Sequence, residues 1–306
     1  MPIQQSDRNN GCKMTFETTR DLAGKHYVVT GANSGIGFVA ADNFASRGAT
    51  VALVCRDTDL GNRALDTIRH STPDAELKLF IADFSSLHSV ANLAKELVHS
   101  YSSIDVLCNN AGGANAAHHV TEDGFETTFA VNHLAGFALT QQLMPSLLKA
   151  AETGAARVVF TSSVGHMNSA LDFDDLNLIT GYSTLKAYGR SKLMNLLTAR
   201  ELHRRYGEQN LIASSFHPGS VRTPIWRKSG MLAGLLGFVM YPFMRSSDKG
   251  AETLIWLAAA NDEGALNAGG AYFFNCKQHR SAAFATDAAA EQLWRISEEL
   301  IQPFVR

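Results

Sequence analysis

Tyr188 and Lys192 stand four residues apart in a stretch that reads as helix, so their side chains share one helical face. A phenol beside an ammonium is a proton-transfer pair. The hydroxyl ordinarily ionises at about pH 10, and a nearby positive charge favours the phenolate. Such a pair can exchange a proton with an oxygen whose charge develops as hydride moves to or from its carbon. A second Tyr-x-x-x-Lys, Tyr182 to Lys186, lies just upstream. Lys192, however, runs on into Leu193-Met194-Asn195-Leu196-Leu197, the pattern of a long buried helix, whereas Tyr182 and Lys186 read as loop and helix start. Ser162 and Ser163 close the apolar run Val158-Val159-Phe160-Thr161, and a hydroxyl there can hydrogen-bond a substrate oxygen. Asn132 is a polar residue on an otherwise apolar helix, either a satisfied core amide or a group placed for chemistry.

A glycine cluster lies far upstream, Thr30-Gly31-Ala32-Asn33-Ser34-Gly35-Ile36-Gly37, between the first strand-like run and the first helical pattern. Gly31 permits a tight turn, Gly35 lets backbone approach a phosphate, and Gly37 lets the helix pack closely on the sheet. A pyrophosphate would sit on the free N–H groups at the helix start.

Short apolar runs alternate with helical patterns along the chain. Strands are expected at His26–Thr30, Thr50–Cys55, Leu77–Ala82, Asp105–Asn109, Arg157–Ser162, Leu211–His217 and Ala271–Phe274. Helices are expected at Gly35–Arg47, Leu60–His70, Leu87–Tyr101, Glu122–Lys149, Thr184–Tyr206, Lys249–Ala260 and Asp287–Ile301. Nearly continuous apolar strands separated by helices imply right-handed βαβ units in a parallel, doubly wound α/β sheet covered on both faces. Two irregular stretches, Gly165–Gly181 and Ser220–Ser247, follow strands and belong at the carboxyl edge, where ligands bind.

The 306 residues, 45% of them hydrophobic and 18% charged, carry a formal charge of −2, which leaves no electrostatic footprint for nucleic acid. Residues 1–20 are polar, without the apolar core of a secretory signal, and read as a loose arm before one domain over 21–306. Cys12, Cys55, Cys108 and Cys276 form no C-x-x-C pair or metal-ligand spacing and read as reduced thiols, which suits the cytoplasm. No metal site is expected. Met231–Met244 is apolar but too short to span a bilayer, which needs about 20 residues. It reads as a lid over an apolar substrate, in contact with membrane, or as a helix packed on the body.

The G-x-x-x-G-x-G spacing, Asn109-Asn110-Ala111-Gly112, Asn132, Ser163 with Tyr188-x-x-x-Lys192, and Pro218-Gly219 occur in the order of the short-chain dehydrogenase/reductase family, which the chain resembles from about Lys25 to Thr223. The resemblance implies a Rossmann-type, mostly parallel seven-stranded sheet in a single domain. It implies a catalytic set of Asn132, Ser163, Tyr188 and Lys192, since Ser163 is the second of its pair and Pro218 follows Tyr188 at the family's 30-residue interval. It assigns cofactor contacts to Gly31, Asn33, Ser34, Gly35, Ile36, Gly37, Arg56, Asp83, Phe84, Asn110, Ala111, Gly112, Tyr188, Lys192, Pro218, Gly219, Val221 and Thr223. Where an NAD enzyme of the family carries an acid, this chain has Cys55 followed by Arg56, whose guanidinium suits a 2′-phosphate, so NADP(H) is the expected cofactor. The alternative is Arg56 as an exposed loop cation with Asp57 at the ribose. Asp83 would meet the adenine, or serve as a helix-start acid beside Ser85 and Ser86.

The long Ser163–Tyr188 interval, Cys55-Arg56-Asp57 and the tail Gly270-Ala271-Tyr272-Phe273-Phe274-Asn275-Cys276 resemble the retinol dehydrogenase-like branch. That implies an oxidoreductase acting on a lipophilic alcohol or carbonyl. Met194 and Asn195 stand where protochlorophyllide reductases carry a cysteine, which argues against that activity. The rival class is a non-catalytic NADP-binding scaffold on the same fold. In the family, the helices over Glu122–Lys149 and Thr184–Tyr206 often pair subunits, so a homodimer is one expectation; a monomer, with the insert covering that face, is the other.

Overall fold

The computed structural model describes residues 20–220 and 245–305. The expected arm up to residue 19, the expected lid at Met231–Met244, and Val221 and Thr223 lie outside the described residues.

β-Branched and apolar runs form β1 (His26–Thr30), β2 (Thr50–Cys55), β3 (Leu77–Ile81), β4 (Val106–Asn109), β5 (Ala156–Thr161), β6 (Leu211–Phe216) and β7 (Tyr272–Phe274). With β8 (Lys277–His279) they make one sheet in the order β3-β2-β1-β4-β5-β6-β7-β8. β1 to β7 pair in parallel, and β8 is antiparallel to β7. The eighth strand corrects the expected seven. Asn275 and Cys276 take φ of 51° and 55°, the two-residue left-handed turn that closes a tight hairpin. Asn-Cys is a weak sequence signal for a turn usually marked by Asn-Gly.

Successive strand residues serve opposite cores, as a pleated strand requires. Val28 faces the core built with α3 (Leu87–Ser100), α4 (Ala135–Ala151), α5 (Thr184–Tyr206) and α7 (Asp287–Ile301). Val29 faces the core built with α1 (Gly35–Ser46), α2 (Thr58–Ser71) and α6 (Ser247–Ala259). α7 lies against α4 and α5: the Trp294 ring meets Phe137 edge-on at 5.0 Å, and Ser297 Oγ is 2.9 Å from His133 Nε2. The helical face named above as a possible subunit contact thus carries α7. Cys55 and Cys108 are free and buried, whereas Cys276 is disulfide-bonded, which corrects its reading as a thiol.

The helix expected from Glu122 begins instead at Thr127. Gly124, at φ 85°, closes a turn on the Thr121 carbonyl, and the Glu126 carboxylate then accepts from the N–H groups of Thr128 and Phe129 as the N-cap. The helix passes through one π-helical turn, Ala130–Leu134, before α4. A helix start can be read from capping residues, but a π turn leaves no periodic mark.

Burial sets a pH dependence. His133 is pushed down to about 3 and His217 to about 4, both chiefly by desolvation of the charged ring. Unfolded histidines take up protons below about pH 6.5 while these two stay neutral in the native state. The unfolded state then binds more protons, so stability falls as pH falls. Urea unfolding midpoints are expected to drop between pH 7 and 5, with a shallower slope in His133→Phe; a flat profile would contradict these burial effects.

Candidate active site

The strand order reverses between β1 and β4, and a cleft of about 1270 Å³ opens over their carboxyl ends. Thr30 stitches the two strands there. Its Oγ1 donates to the Cys108 carbonyl (3.1 Å) and accepts from the N–H groups of Asn110 (2.9 Å) and Ala111 (3.0 Å). The Asn110 side chain donates in turn to the Thr30 carbonyl at 3.0 Å, so this residue holds the strand ends as well as lining the cleft.

The glycine loop enters α1 from this point. Gly31 is at φ 67°, and a Cβ there would lie 3.1 Å from Ala111 Cα. Gly37 is packed beneath the loop, where a Cβ would run into the Gly31 carbonyl and come within 2.6 Å of Asn110 Nδ2. Gly31, Asn33, Ser34, Gly35 and Ile36 line the cleft; Gly37 supports it from below. The N-caps Asp57, Ser86, Ser183, Ser246 and Thr286 each accept a backbone N–H into the side chain. Ser34, capping α1, does not, and the first turn of α1 holds no acid. The first-turn N–H groups of α1 are therefore open to an anion from the cleft.

Arg56, Asp83 and Phe84 line the far end. Arg56 is exposed and makes no hydrogen bond or ion pair to the described residues. The neighbouring Asp57 accepts from Leu60 N–H at 2.9 Å as the cap of α2. One oxygen of Asp83 takes both the N–H and the hydroxyl of Ser85.

At the other end β5 and α5 bring Ser163, Tyr188 and Lys192 together with Asn132 and Gly112. Tyr188 and Ser163 line the same end of the cleft, close enough for the serine side chain to favour the phenolate of Tyr188. The buried Lys192 donates to the Thr161 carbonyl at 3.0 Å, with Nζ 5.5 Å from the centre of the Tyr188 ring. Asn132 sits on the π turn. Its Oδ1 accepts from Gly113 N–H (2.8 Å), and its Nδ2 reaches the Gly113 carbonyl (2.8 Å) and Ser191 Oγ (2.9 Å). A Cβ on Gly112 would stand 2.9 Å from Asn132 Oδ1 and 3.3 Å from Lys192 Nζ, so only glycine brings backbone this close to both. Burial pulls Lys192 down to about 8 and raises the Tyr188 hydroxyl, with the Ser163 hydrogen bond opposing the latter. The rise is opposite to that expected from a neighbouring ammonium, because Nζ is turned to Thr161 and desolvation of the phenolate outweighs its attraction.

The walls beyond these groups mix apolar side chains with Asn168, Ser169, Ser183 and Lys186. Val164 and Leu185 are exposed in the mouth, and Phe274 lies with its ring stacked on His217 at 4.1 Å. Pro218 and Gly219 line the same end, beside Arg245, whose guanidinium covers the Phe274 ring at 4.6 Å. The expected second pair separates. The Tyr182 hydroxyl donates to the Asn115 carbonyl (2.9 Å) and fixes the loop after β4, while Lys186 borders the cleft. The insert after Ser163 is held to α5 by the buried Arg190, which donates to the carbonyls of Ala170 and Asp175. Sequence reasoning missed Thr30, Arg190 and Arg245. Only Thr30, the last residue before the glycine loop, carried a positional hint.

The model of the short chain dehydrogenase family matches residues 25–231. Retinol dehydrogenase 12 of Mus musculus is 38% identical over 285 residues, which cover 93% of this chain and 88% of that protein. A candidate daunorubicin C-13 ketoreductase of Streptomyces sp. (strain C5) is 40% identical over 280 residues, covering 90% and 92%. Among solved structures, an uncharacterized protein from Mycobacterium paratuberculosis superposes with a TM-score of 0.72 at 31% identity, covering 93% and 97%. With its sheet order, glycine loop and helix-borne tyrosine and lysine, the chain belongs to the short-chain dehydrogenase family of oxidoreductases, in its retinol dehydrogenase-like branch.

Proposed function

We propose that this protein interconverts an alcohol and a carbonyl on a lipophilic substrate with NADP(H), using Tyr188 as the proton donor and acceptor. The observation that carries the reading is the gathering of Ser163, Tyr188 and Lys192 at one end of a cleft whose other end offers the uncapped start of α1. The glycine cradle fits a dinucleotide, because side chains at Gly31 or Gly37 would fill the space that lets backbone reach a pyrophosphate. Arg56 has no hydrogen-bond or ion-pair partner among the described residues and so is available to a 2′-phosphate, and Asp57 is committed to capping α2, which disfavours it as the ribose acid.

NADPH, when bound, supplies the hydride. Ser163 donates to the substrate oxygen and stabilises the charge that grows on it. Tyr188, kept protonated by burial, gives that oxygen its proton. Lys192, ionised at neutral pH with its value near 8, steadies the tyrosinate left behind. Asn132 holds Gly113 and, through Ser191, the turn of α5 that bears Tyr188. A raised hydroxyl suits an acid better than a base, and cells keep NADPH in excess, so reduction is the expected direction. The relatives named for retinol and for a daunorubicin C-13 ketone support a lipophilic substrate, as do Val164, Leu185 and Phe274 along the cleft.

The test is NADPH and NADH consumption against a panel of hydrophobic aldehydes, ketones and steroids. Turnover is expected with NADPH preferred, and Tyr188→Phe lowers it at least about 100-fold while NADPH affinity holds within about twofold. Tight NADPH binding with no turnover across the panel would favour the scaffold class. Arg56→Ala is expected to weaken NADPH about tenfold and leave NADH nearly unchanged, one charge-assisted contact being lost; equal losses for both would remove Arg56 from the 2′-phosphate. Gly37→Val is expected to abolish binding of both nucleotides in fluorescence titrations.

A further inference from the structure

His166, three residues after Ser163, does not line the cleft. Its side chain is fully buried behind the reacting end. Nδ1 lies 2.6 Å from the Ser163 carbonyl, and Nε2 lies 3.3 Å from the Ala282 backbone nitrogen. A backbone N–H can only donate, so Nε2 accepts from Ala282 and carries no proton. Nδ1 must then carry the proton and donate to Ser163. Both partners together select one neutral tautomer. Ser163 is extended, at φ −158° and ψ 155°, and its carbonyl also accepts from His166 N–H at 3.1 Å. With that carbonyl held twice, the Cα–Cβ direction of Ser163 is set, and the Gly165 N–H, donating to Oγ at 3.2 Å, fixes the rotation of its hydroxyl.

The other end of the ring reaches a separate part of the chain. Ala282 lies between β8 and α7, in a segment also tied to α5 by Arg200, which donates to Ser281 Oγ and the Ala285 carbonyl. The Tyr272 ring stands edge-on to His166 at 4.7 Å. We infer that His166 is a positioning residue for Ser163: its neutral imidazole bridges the Ser163 carbonyl to the segment at Ala282 and so holds the hydroxyl in line with Tyr188. The inference rests on the oxidoreductase reading above.

Burial lowers the tendency of His166 to take a proton, in keeping with an acceptor role at Nε2. The titratable groups that face the ring are Tyr272 on β7 and His217 beyond β6, with Tyr188 on α5 behind Tyr272. None is a carboxylate that would hold a charged imidazolium.

Two measurements test this. On the ¹⁵N-labelled protein, imidazole spectra are expected to show His166 neutral and Nδ1-protonated at pH 6, below the ordinary value of about 6.5. An Nε2–H tautomer, or titration at the ordinary value, overturns the bridge whether or not a substrate is known. The second is a double-mutant cycle with Ser163→Ala on the substrate found by the panel. His166→Phe is expected to lower kcat about tenfold or more with KM and NADPH affinity little changed, and His166→Asn, which keeps an N–H near Nδ1, to restore most of it. In the Ser163→Ala background, His166→Phe is expected to change kcat less than about twofold, since the group it acts through is gone. Equal effects of His166→Phe in both backgrounds overturn the inference while leaving the oxidoreductase reading intact. Absence of turnover in the unmodified protein sinks that reading instead, and the imidazole spectrum still decides the bridge.

Discussion

The seam between β5 and α5 is the constraint on which the rest of the site depends. The Thr161 carbonyl, the last of β5, accepts from both Lys192 Nζ and Asn195 Nδ2, at 3.0 and 3.1 Å. Ser162 Oγ returns a bond to the Lys192 carbonyl at 2.7 Å. On the neighbouring turn Gly189 lies against Ser169 and the Gly165 carbonyl so closely that a Cβ has no room. Together these contacts fix the rotation of α5 about its axis and its height on the sheet. A rotation by one residue, about 100° on a helix, would carry Tyr188 away from Ser163. The reacting groups are held by backbone and buried amides rather than by their own mutual contacts.

That same burial sets the electrostatics. Lys192 lies in a region where an ammonium is costly, and no carboxylate pairs with it among the described residues. Its hydrogen bonds to neutral dipoles leave it free to respond to a new charge nearby. A tyrosinate formed beside it would be the first strong counter-charge it meets. The pair is thus poised by desolvation of both members, a different route from a permanent ion pair.

Much of this was legible from residue order. The two strands His26–Thr30 and Thr50–Cys55 appear at their expected bounds because β-branched residues run unbroken between clear turn residues. The glycine loop and the Tyr188–Lys192 spacing are local patterns, and local patterns survive folding. The missed features depend on partners distant in sequence. Thr30 becomes a stitch only once β4 lies beside β1, and Arg190 anchors the insert only because two carbonyls of the insert converge on it. His166 follows Ser163 by only three positions, yet a tight helical turn after Ser163 points it inward, an orientation that residue spacing does not reveal. The sense of the Tyr188 shift depends on burial, which no spacing rule reports.

The small hairpin that adds β8 governs what the sheet can meet outside the molecule. Without it, β7 would present a row of unpaired backbone N–H and C=O groups at an open edge, beside the apolar rings of Tyr272 and Phe273. β8 is three residues long, and Lys277, Gln278 and His279 are all exposed. A strand so short and polar is a poor template for a neighbouring chain to extend. The far edge, β3, carries the exposed Lys78 as its second residue. Both margins of an otherwise very apolar sheet are therefore guarded against edge-to-edge polymerisation, and the tight Asn275-Cys276 turn contributes to the solubility of the folded chain.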